Sequence, residues 1–386
     1  MARNVSTRFK VINGRQQIDQ QIDNFSPANE INRILSNQDI EIDKFLKRFR
    51  HKYRLEDIYA LLDRMSKLRV MIVGDTIIDE YQFCQSIGKS SKDPTLALKY
   101  ESRDVFAGGS LAIANHVAQF TDHVQLYTVI GEFDSRIEFI RNHLHPNVHP
   151  HFYVQDGAPT IVKRRFVDSY NLNKLLEVYV MDDSGLNKKK ERMLKTALHK
   201  GVCRHDVVIA ADFGHGAISA ETIALLSSKA PFLAVNTQAN AGNRGFHTIS
   251  KYKKANYISI AEHELRLEMR DLKSTVSQMI SELHKRIDAQ RITITQGRNG
   301  CTVSDKTGCS MDIPALAKKI IDRIGSGDAL LAVTSLAASL GADKEMIGFL
   351  GNVAGALAVE VMGNKKAIDR QRLKDFIQSL YHTLEE

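Results

Sequence analysis

The chain has 386 residues, 43% of them hydrophobic and 25% charged, with a formal net charge of +8. This is the balance of a soluble globular protein with room for one large α/β domain or two smaller ones. No apolar run reaches the ~18 to 20 residues of a membrane helix, and the amino terminus lacks the apolar core of a secretory signal. The four cysteines (Cys84, Cys203, Cys301, Cys309) contain no CxxC pair, which fits a reduced, cytoplasmic protein. The basic runs, "VKRRF" at 162–166 and "NKKKER" at 187–192, are short and have no interleaved aromatics. Nucleic acid is therefore not an expected partner, nor is a membrane; a phosphorylated small substrate suits the charge as well.

In chain order, the first ~65 residues are polar and helix-leaning. "IEIDKFLKRFRHKYRLEDIYALLDRMSKL" has amphipathic spacing, so residues 1–67 read as an extension of one or two helices before a core domain at 68–386. From residue 69 strands and helices alternate. Strands are predicted at 69–75 ("RVMIVGD"), 123–131, 206–212, 231–236, 255–260 and 291–297, and helices at 110–120, 135–144 and 275–288. Such alternation argues for a mostly parallel sheet covered on both faces, with ligands outside the carboxyl ends of its strands. Residues 82–106 and 152–180 are strand-like without helical period and read as a small antiparallel sheet, a lid. "HLHPNVHPH" gathers His143, His145, His149 and His151 closely enough for Zn²⁺ or Ni²⁺. Its prolines and the lack of i, i+4 spacing favour an exposed loop.

The segment "DRIGSGDALLAVTSLAASL", 322–340, carries the sharpest chemistry. Gly325 and Gly327 flank Ser326 just before an apolar helix. Glycines let main-chain N–H groups turn inward, and a helix start leaves its first N–H groups unpaired, so the turn is an anion site suited to phosphate. Asp328 adds negative charge there. An acid that complements the helix dipole explains this more simply; a base that takes a proton from an attacking hydroxyl explains it chemically. Two lookalikes fail: Leu330 stands where GxGxxG needs its third glycine, and Phe83 where a Walker A loop needs its first.

"DRIGSGD" resembles the D-T-x-G-A-G-D segment of the ribokinase-like, phosphofructokinase-B family of sugar kinases, matching at Asp322, Gly325, Gly327 and Asp328. Further landmarks follow in the family's order: "GDTIIDEY" at 74–81, "AGGSLAIANHVA" at 107–118, "AADFGHG" at 210–216, "SIAEHE" at 259–264, "TQGRNG" at 295–300 and "GNVAGALA" at 351–358. The heptose-7-phosphate kinase branch is the most similar, through "GDxxxDxY" and E-x-E.

The resemblance implies a three-layer α/β/α fold with a small β lid and ATP-dependent phosphorylation of a sugar hydroxyl. It implies Mg²⁺, and K⁺ or another monovalent cation near Asp322. On this reading Asp328 is the base and Gly325, Ser326 and Gly327 form the anion hole. Asp75, Asp79, Gly108, Gly109, Asn115, Lys163, Arg165 and Asp212 face the sugar. Thr295, Gly297, Gly300 and Asn352 lie on the adenine side, and Glu262 with Asp212 holds Mg²⁺ through water. As residues alone, Asp75 and Asp79 read equally well as turn acids, and Lys163 and Arg165 as one face of a solvated edge strand. Ala112, His215 and Ser259 stand where the family has asparagine, lysine and asparagine, with Asn115 one helical turn on as a substitute for the first. The family also implies a homodimer through the lid. "STRFKVINGR" and "FSPANEINRIL" resemble the tail of a nucleotidyltransferase domain, a fused or partner activity. The alternatives are a nucleoside or other small-alcohol kinase, and a sugar- or nucleotide-binding sensor without turnover.

Overall fold

The computed structural model describes residues 27–382. Of the two segments likened to a nucleotidyltransferase tail, the first lies outside the described residues. The second runs into helix α1, Pro27–Lys52, which is followed by α2, Leu55–Met65. One twelve-stranded sheet then organises the chain. Its main part is built from β1 (Arg69–Lys89), β3 (His123–Phe133), β4 (Val148–Pro159), β7 (Val207–Asp212), β8 (Leu233–Thr237), β9 (Lys254–Ala261), β10 (Asp288–Thr295), β11 (Cys301–Asp305) and β12 (Ser310–Ile313). They lie in the order β12-β11-β10-β9-β8-β7-β1-β3-β4, parallel except for the β10–β11 and β11–β12 pairs.

Alternate residues of the central strands feed two apolar layers, as a pleat buried on both faces requires. Val70 and Ile72 of β1 join the layer of α3 (Ser110–Val117), α9 (Ser326–Ser339) and α10 (Lys344–Val359). Met71 and Val73 join the layer of α5 (Lys188–Gly201), α6 (Ala220–Lys229), α7 (Glu262–Met269) and α8 (Val276–Arg286). Two helices complete the chain: α4, Ile137–His143, and α11, Arg370–His382. Helix starts follow capping rules: Asn187 accepts from Lys190 N at 2.9 Å and Asp343 from Met346 N at 2.9 Å.

The predicted extension packs as part of the first layer. Phe45, Leu46, Phe49, Ile58, Leu62 and Met65 are buried in it, and Phe49 stacks on Phe349 of α10 with ring centroids 4.1 Å apart. Lys52 and Arg48 reach Glu345 at 2.9 and 3.1 Å, closing the edge of the contact.

The lid is built differently from the predicted boundaries. Beyond Asp75 strand β1 does not stop at a turn; it continues to Lys89. There it pairs with β2 (Leu96–Gly109), antiparallel, and with β5 (Ile161–Asp168), parallel. Strand β6 (Lys174–Val180) closes the outer edge against β5. Residues 152–159 belong to β4 of the main sheet, so the lid is smaller than the strand-like composition implies. The predicted turn fails because Asp79 and Glu80 are buried acids matched by Arg165 and Arg164, at 2.5 and 3.0 Å, and so sit inside a strand.

Three of the four histidines of 143–151 are engaged by separate partners. His143 Nδ1 meets Phe139 O at 2.8 Å, His145 Nδ1 accepts from Asn147 N at 3.2 Å, and His151 stacks on Tyr127. Among the described residues no group of three or more ligating side chains could hold a metal, and no helix is long and apolar enough to cross a membrane.

Candidate active site

The carboxyl ends of β7, β8, β9 and β10 lie at the edge of the sheet where β1 leaves it near Asp75 for the lid. Gly325 precedes α9 at φ +83°, left-handed, and a Cβ there would come within 2.1 Å of Asn364 Oδ1. Both the dihedral and the space demand glycine. Around Gly327 nothing lies within 4 Å of a would-be Cβ, so the turn opens onto free volume where main-chain donors can meet an anion. Ser326 turns its hydroxyl back onto Arg323 O at 2.9 Å; what it offers the opening is its N–H.

Asp328 follows in the first turn of α9 and is half-buried. Burial and the Asp79 carboxylate push its carboxyl up to about 7, Lys163 pulling the other way and Glu264 adding to the rise. This is the range in which a carboxylate both accepts and releases a proton at neutral pH.

Asp79 is held from three sides. Arg165 Nη1 lies 2.5 Å from Oδ1, Asn364 Nδ2 donates to Oδ2 at 3.4 Å, and Gly108 leaves room for the carboxyl, since a Cβ there would meet Oδ2 at 2.1 Å. Gly109, at φ +57°, turns the chain from β2 into α3. Arg165 also binds Glu177 at 2.9 Å, so its guanidinium is shared between two carboxylates. Lys163 is only 6% exposed; its ammonium makes no hydrogen bond among the described residues and lies 5.5 Å from the centroid of the Tyr179 ring. Burial holds it below the ordinary lysine range against the pull of Asp79. Because β5 lies between β1 and β6, neither basic residue is on a solvated edge strand.

Several expected site residues are engaged elsewhere. Asp75 accepts main-chain N–H groups from Phe213 (3.1 Å), His215 (3.4 Å) and Ala217 (3.0 Å), so its carboxyl shapes the 213–217 turn. Of these two acids of β1, Asp79 is the one beside Asp328. Asp212 is surrounded by Tyr252 OH (2.7 Å), Lys251 Nζ (2.6 Å) and His247 Nε2 (3.2 Å); burial opposes its charge, but His247 and Lys251 outweigh it and keep the carboxyl below its usual range. A lysine, a histidine and a hydroxyl thus take three of its roughly four acceptor positions, leaving one on Oδ1. Asn115 spans His143 O and His145 N, both at 2.8 Å, and lines a hollow of about 430 Å³ with Phe106, His145, Asn364 and Lys365. It does not fill the place left by Ala112. Asn352 gives its amide to Gly348 O (3.0 Å) and lies 3.2 Å from Cys301 Sγ, bracing α10 against β11 from inside.

Glu262 begins α7 at the end of β9. Its Oε1 takes two N–H groups of Arg266, at 2.6 and 2.9 Å, and Oε2 has no donor within hydrogen-bond distance among the described residues. One free carboxylate oxygen at this edge suits a water-held Mg²⁺. Glu264, two residues on, accepts from Ala239 N (2.9 Å) and Ala261 N (2.7 Å), and burial pushes it up to about 7. Thr295 ends β10, and the 297–300 turn follows with Gly297 at φ +58° in open space. Gly300, at φ +86°, could not carry a Cβ, which would meet Ile313 O at 2.0 Å. The turn is thus open at Gly297 and closed onto Ile313 at Gly300, with Arg298 and Asn299 carrying the side chains between them.

Asp322 does not suit a free cation. Oδ1 lies 2.6 Å from Lys174 Nζ and 3.2 Å from Ile324 N; Oδ2 accepts from Tyr81 OH (2.6 Å) and Gly363 N (3.0 Å). Lys174, Glu177 and Asn364 thus join the site without a sequence signal, whereas Tyr81 closes the "GDTIIDEY" landmark. Lys174 and Glu177 are brought in by the pairing of β6 with β5, and Asn364 by the turn after α10. Where the family has a lysine, His215 is buried, with Nδ1 2.9 Å from Asp183 and Nε2 3.4 Å from Asn240.

A parallel α/β core with an appended β lid, and an acid at the head of a glycine-led helix facing that lid, define a carbohydrate-kinase fold. The model of the pfkB family of carbohydrate kinases matches residues 67–370, and the chain belongs to that family. It is 24% identical over 312 residues to the bifunctional protein HldE of Chromohalobacter salexigens, an alignment covering 78% of this chain and 61% of that protein. The chain thus spans about three-fifths of the length of that relative. Among solved structures it resembles Escherichia coli phosphofructokinase-2 in complex with potassium (TM-score 0.64, 13% identity) and Arabidopsis thaliana ribokinase complexed with ribose and ATP (TM-score 0.62, 15% identity). Each comparison covers 81% of this chain and 99% of the other. These likenesses bear out the ribokinase-like fold, and the family bears out a phosphotransferase.

Proposed function

We propose that the protein transfers the γ-phosphoryl group of ATP to a hydroxyl of a sugar phosphate, with a heptose phosphate as the leading acceptor. One observation carries the reading: a carboxyl poised at about 7 stands at the amino end of α9, beside Asp79 and Lys163 and above a glycine turn open to an anion. Phosphoryl transfer asks for alignment and charge neutralisation more than covalent help. The N–H groups of Gly325, Ser326, Gly327 and Asp328 cradle the migrating group. Asp328 orients the acceptor hydroxyl and takes its proton. Asp79, fixed by Arg165 and Gly108, accepts from neighbouring hydroxyls. Lys163, with its donors unspent, faces the acceptor's anionic group. Glu262 would hold Mg²⁺ through water, and the metal would supply charge neutralisation on the phosphates. The turn at Thr295, Gly297 and Gly300 receives the adenine.

The similarity to HldE supports a heptose phosphate over other acceptors, and in that bifunctional relative the matched region is only part of the protein. The domain division follows the same reading: a kinase unit from residue 68 with its own helical extension in front. The lid's outer face, with Leu176, Val178 and Val180 partly exposed in a row on β6, supports a second copy of this chain as its cover. The deciding experiment is an ATP-consumption assay against heptose phosphates, hexose phosphates, free sugars and nucleosides. Turnover highest on a phosphorylated heptose is expected. Preference for a nucleoside would replace the reading by its small-alcohol alternative, and ATP binding with no turnover on any acceptor would make the protein a sensor.

A further inference from the structure

Where the lid meets the catalytic turn, four donors converge on one carboxyl. Asp322 opens the segment leading into α9. Lys174 Nζ and Ile324 N lie at 2.6 and 3.2 Å from Oδ1, and Tyr81 OH and Gly363 N at 2.6 and 3.0 Å from Oδ2. Two of the donors come from the lid: Lys174 from β6, its outermost strand, and Tyr81 from the lid half of β1. Two cations lie over the Tyr81 ring, Lys174 Nζ and the Arg165 guanidinium, each 5.7 Å from its centroid. The main chain of the segment is pinned as well, since Ile321 N and Asp322 N both donate to Val359 O, at 2.7 and 3.1 Å.

A free cation needs oxygen lone pairs that point at it. A carboxylate offers about four such positions. Here all four face N–H or O–H donors, and one donor is a full positive charge that would repel a second cation. The side chain of Asp322 is 2% exposed, so its charge must be balanced inside the protein, and among the described residues Lys174 is the one cation that touches it.

We infer that Lys174 is a tethered cation standing in for a free monovalent ion at this turn, a positioning residue whose ammonium neutralises Asp322 and fixes the 322–328 segment that forms the anion hole. This rests on reading the 325–328 turn as the phosphate-binding element. Because the ammonium arrives on the far strand of the lid, the anion hole is complete only with the lid in the arrangement described above.

The test compares the purified protein in choline chloride with the same ionic strength of potassium chloride. For the unaltered protein, turnover and affinity for a non-hydrolysable ATP analogue should differ by less than about twofold between the salts. Lys174→Ala should lose about a hundredfold in kcat, the scale of a ~1 Å displacement beside reacting atoms. Potassium or methylammonium should restore about tenfold or more of that loss and raise the variant's Tm without raising that of the unaltered protein. Lys174→Arg, which keeps the charge, should stay within about tenfold of the original. Potassium activation of the unaltered protein by about tenfold, or equally tight analogue binding and full turnover of Lys174→Ala in choline, overturns the inference, as does failure of both cations to restore that variant. Should Lys174→Ala not fold, the salt comparison on the unaltered protein decides alone. Should no acceptor be phosphorylated, the proposed reaction fails, while analogue binding and Tm still decide the role of Lys174.

Discussion

Asp328 carries opposing consequences for activity and stability. Its carboxyl, ordinarily near 3.8, stands at about 7 in the folded chain. The base form is needed for transfer, so kcat/KM should climb with pH through about 7 and then level off, readable in a pH–rate profile. Stability runs the other way. Between the unfolded and folded values the folded protein keeps a proton that the unfolded chain has released. Stability from this group therefore falls as pH rises and is fully lost above about 7. Asp328→Asn should cut kcat by roughly 10²- to 10⁴-fold with ATP-analogue affinity nearly unchanged. The same variant should gain Tm over the unaltered protein by roughly 2–5 °C at pH 8 and by less at pH 5, measured by calorimetry. Lys163→Ala should raise the acceptor KM by about tenfold or more while the ATP KM holds, if the ammonium meets the acceptor's anionic group. Asp328 and its glycines are legible in the sequence because a helix start leaves a local pattern. The protein partners of Asp75, Asp212, Asn115 and Asn352 are not legible in the sequence, for one reason. A polar residue at a strand end or on a helix looks the same in sequence whether it faces a ligand or a buried main-chain group.

At the scale of elements, the helices before the core show where amphipathic spacing suffices and where it stops. The spacing of residues 40–68 gives the helices and their apolar stripe, but not what the stripe covers. The structure lays it on α10 through Phe45 and Phe49. Phe49→Ala should cost about 3–5 kcal/mol, read as a lower denaturation midpoint, with KM for both substrates unchanged. That would separate a packing role from a catalytic one. The lid strands were legible as strands because they lack helical period, whereas their pairing was not. Parallel pairing of β5 with β1 brings Lys163 beside Asp79 across 84 residues, a register that alternation alone cannot specify. The same pairing turns the basic run at 162–166 inward on one face, to Asp79 and Glu177, and outward on the other, where Arg164 meets Glu80.

For the whole molecule, the open question of assembly lies on the lid. Leu176, Val178 and Val180 share the face of β6 opposite Lys163 and Arg165, and that face has no cover within the described chain. If a second copy supplies the cover, sedimentation should give a dimer, and Val178→Asp should shift it to monomer and weaken acceptor binding more than ATP binding. A monomer at micromolar concentration with full activity would remove that reading.

Strand β1 gives the molecule one further property. Twenty-one residues of unbroken backbone belong to the floor of the cleft at one end and to its roof at the other. A roof cantilevered from the floor in this way has no free hinge on that side. Opening must be taken up by twist around 75–77, where the pairing partner changes from β3 to β5. Such a beam favours small, springy excursions over wide swings, and it relays any load placed on the roof directly into the strand that carries Asp79.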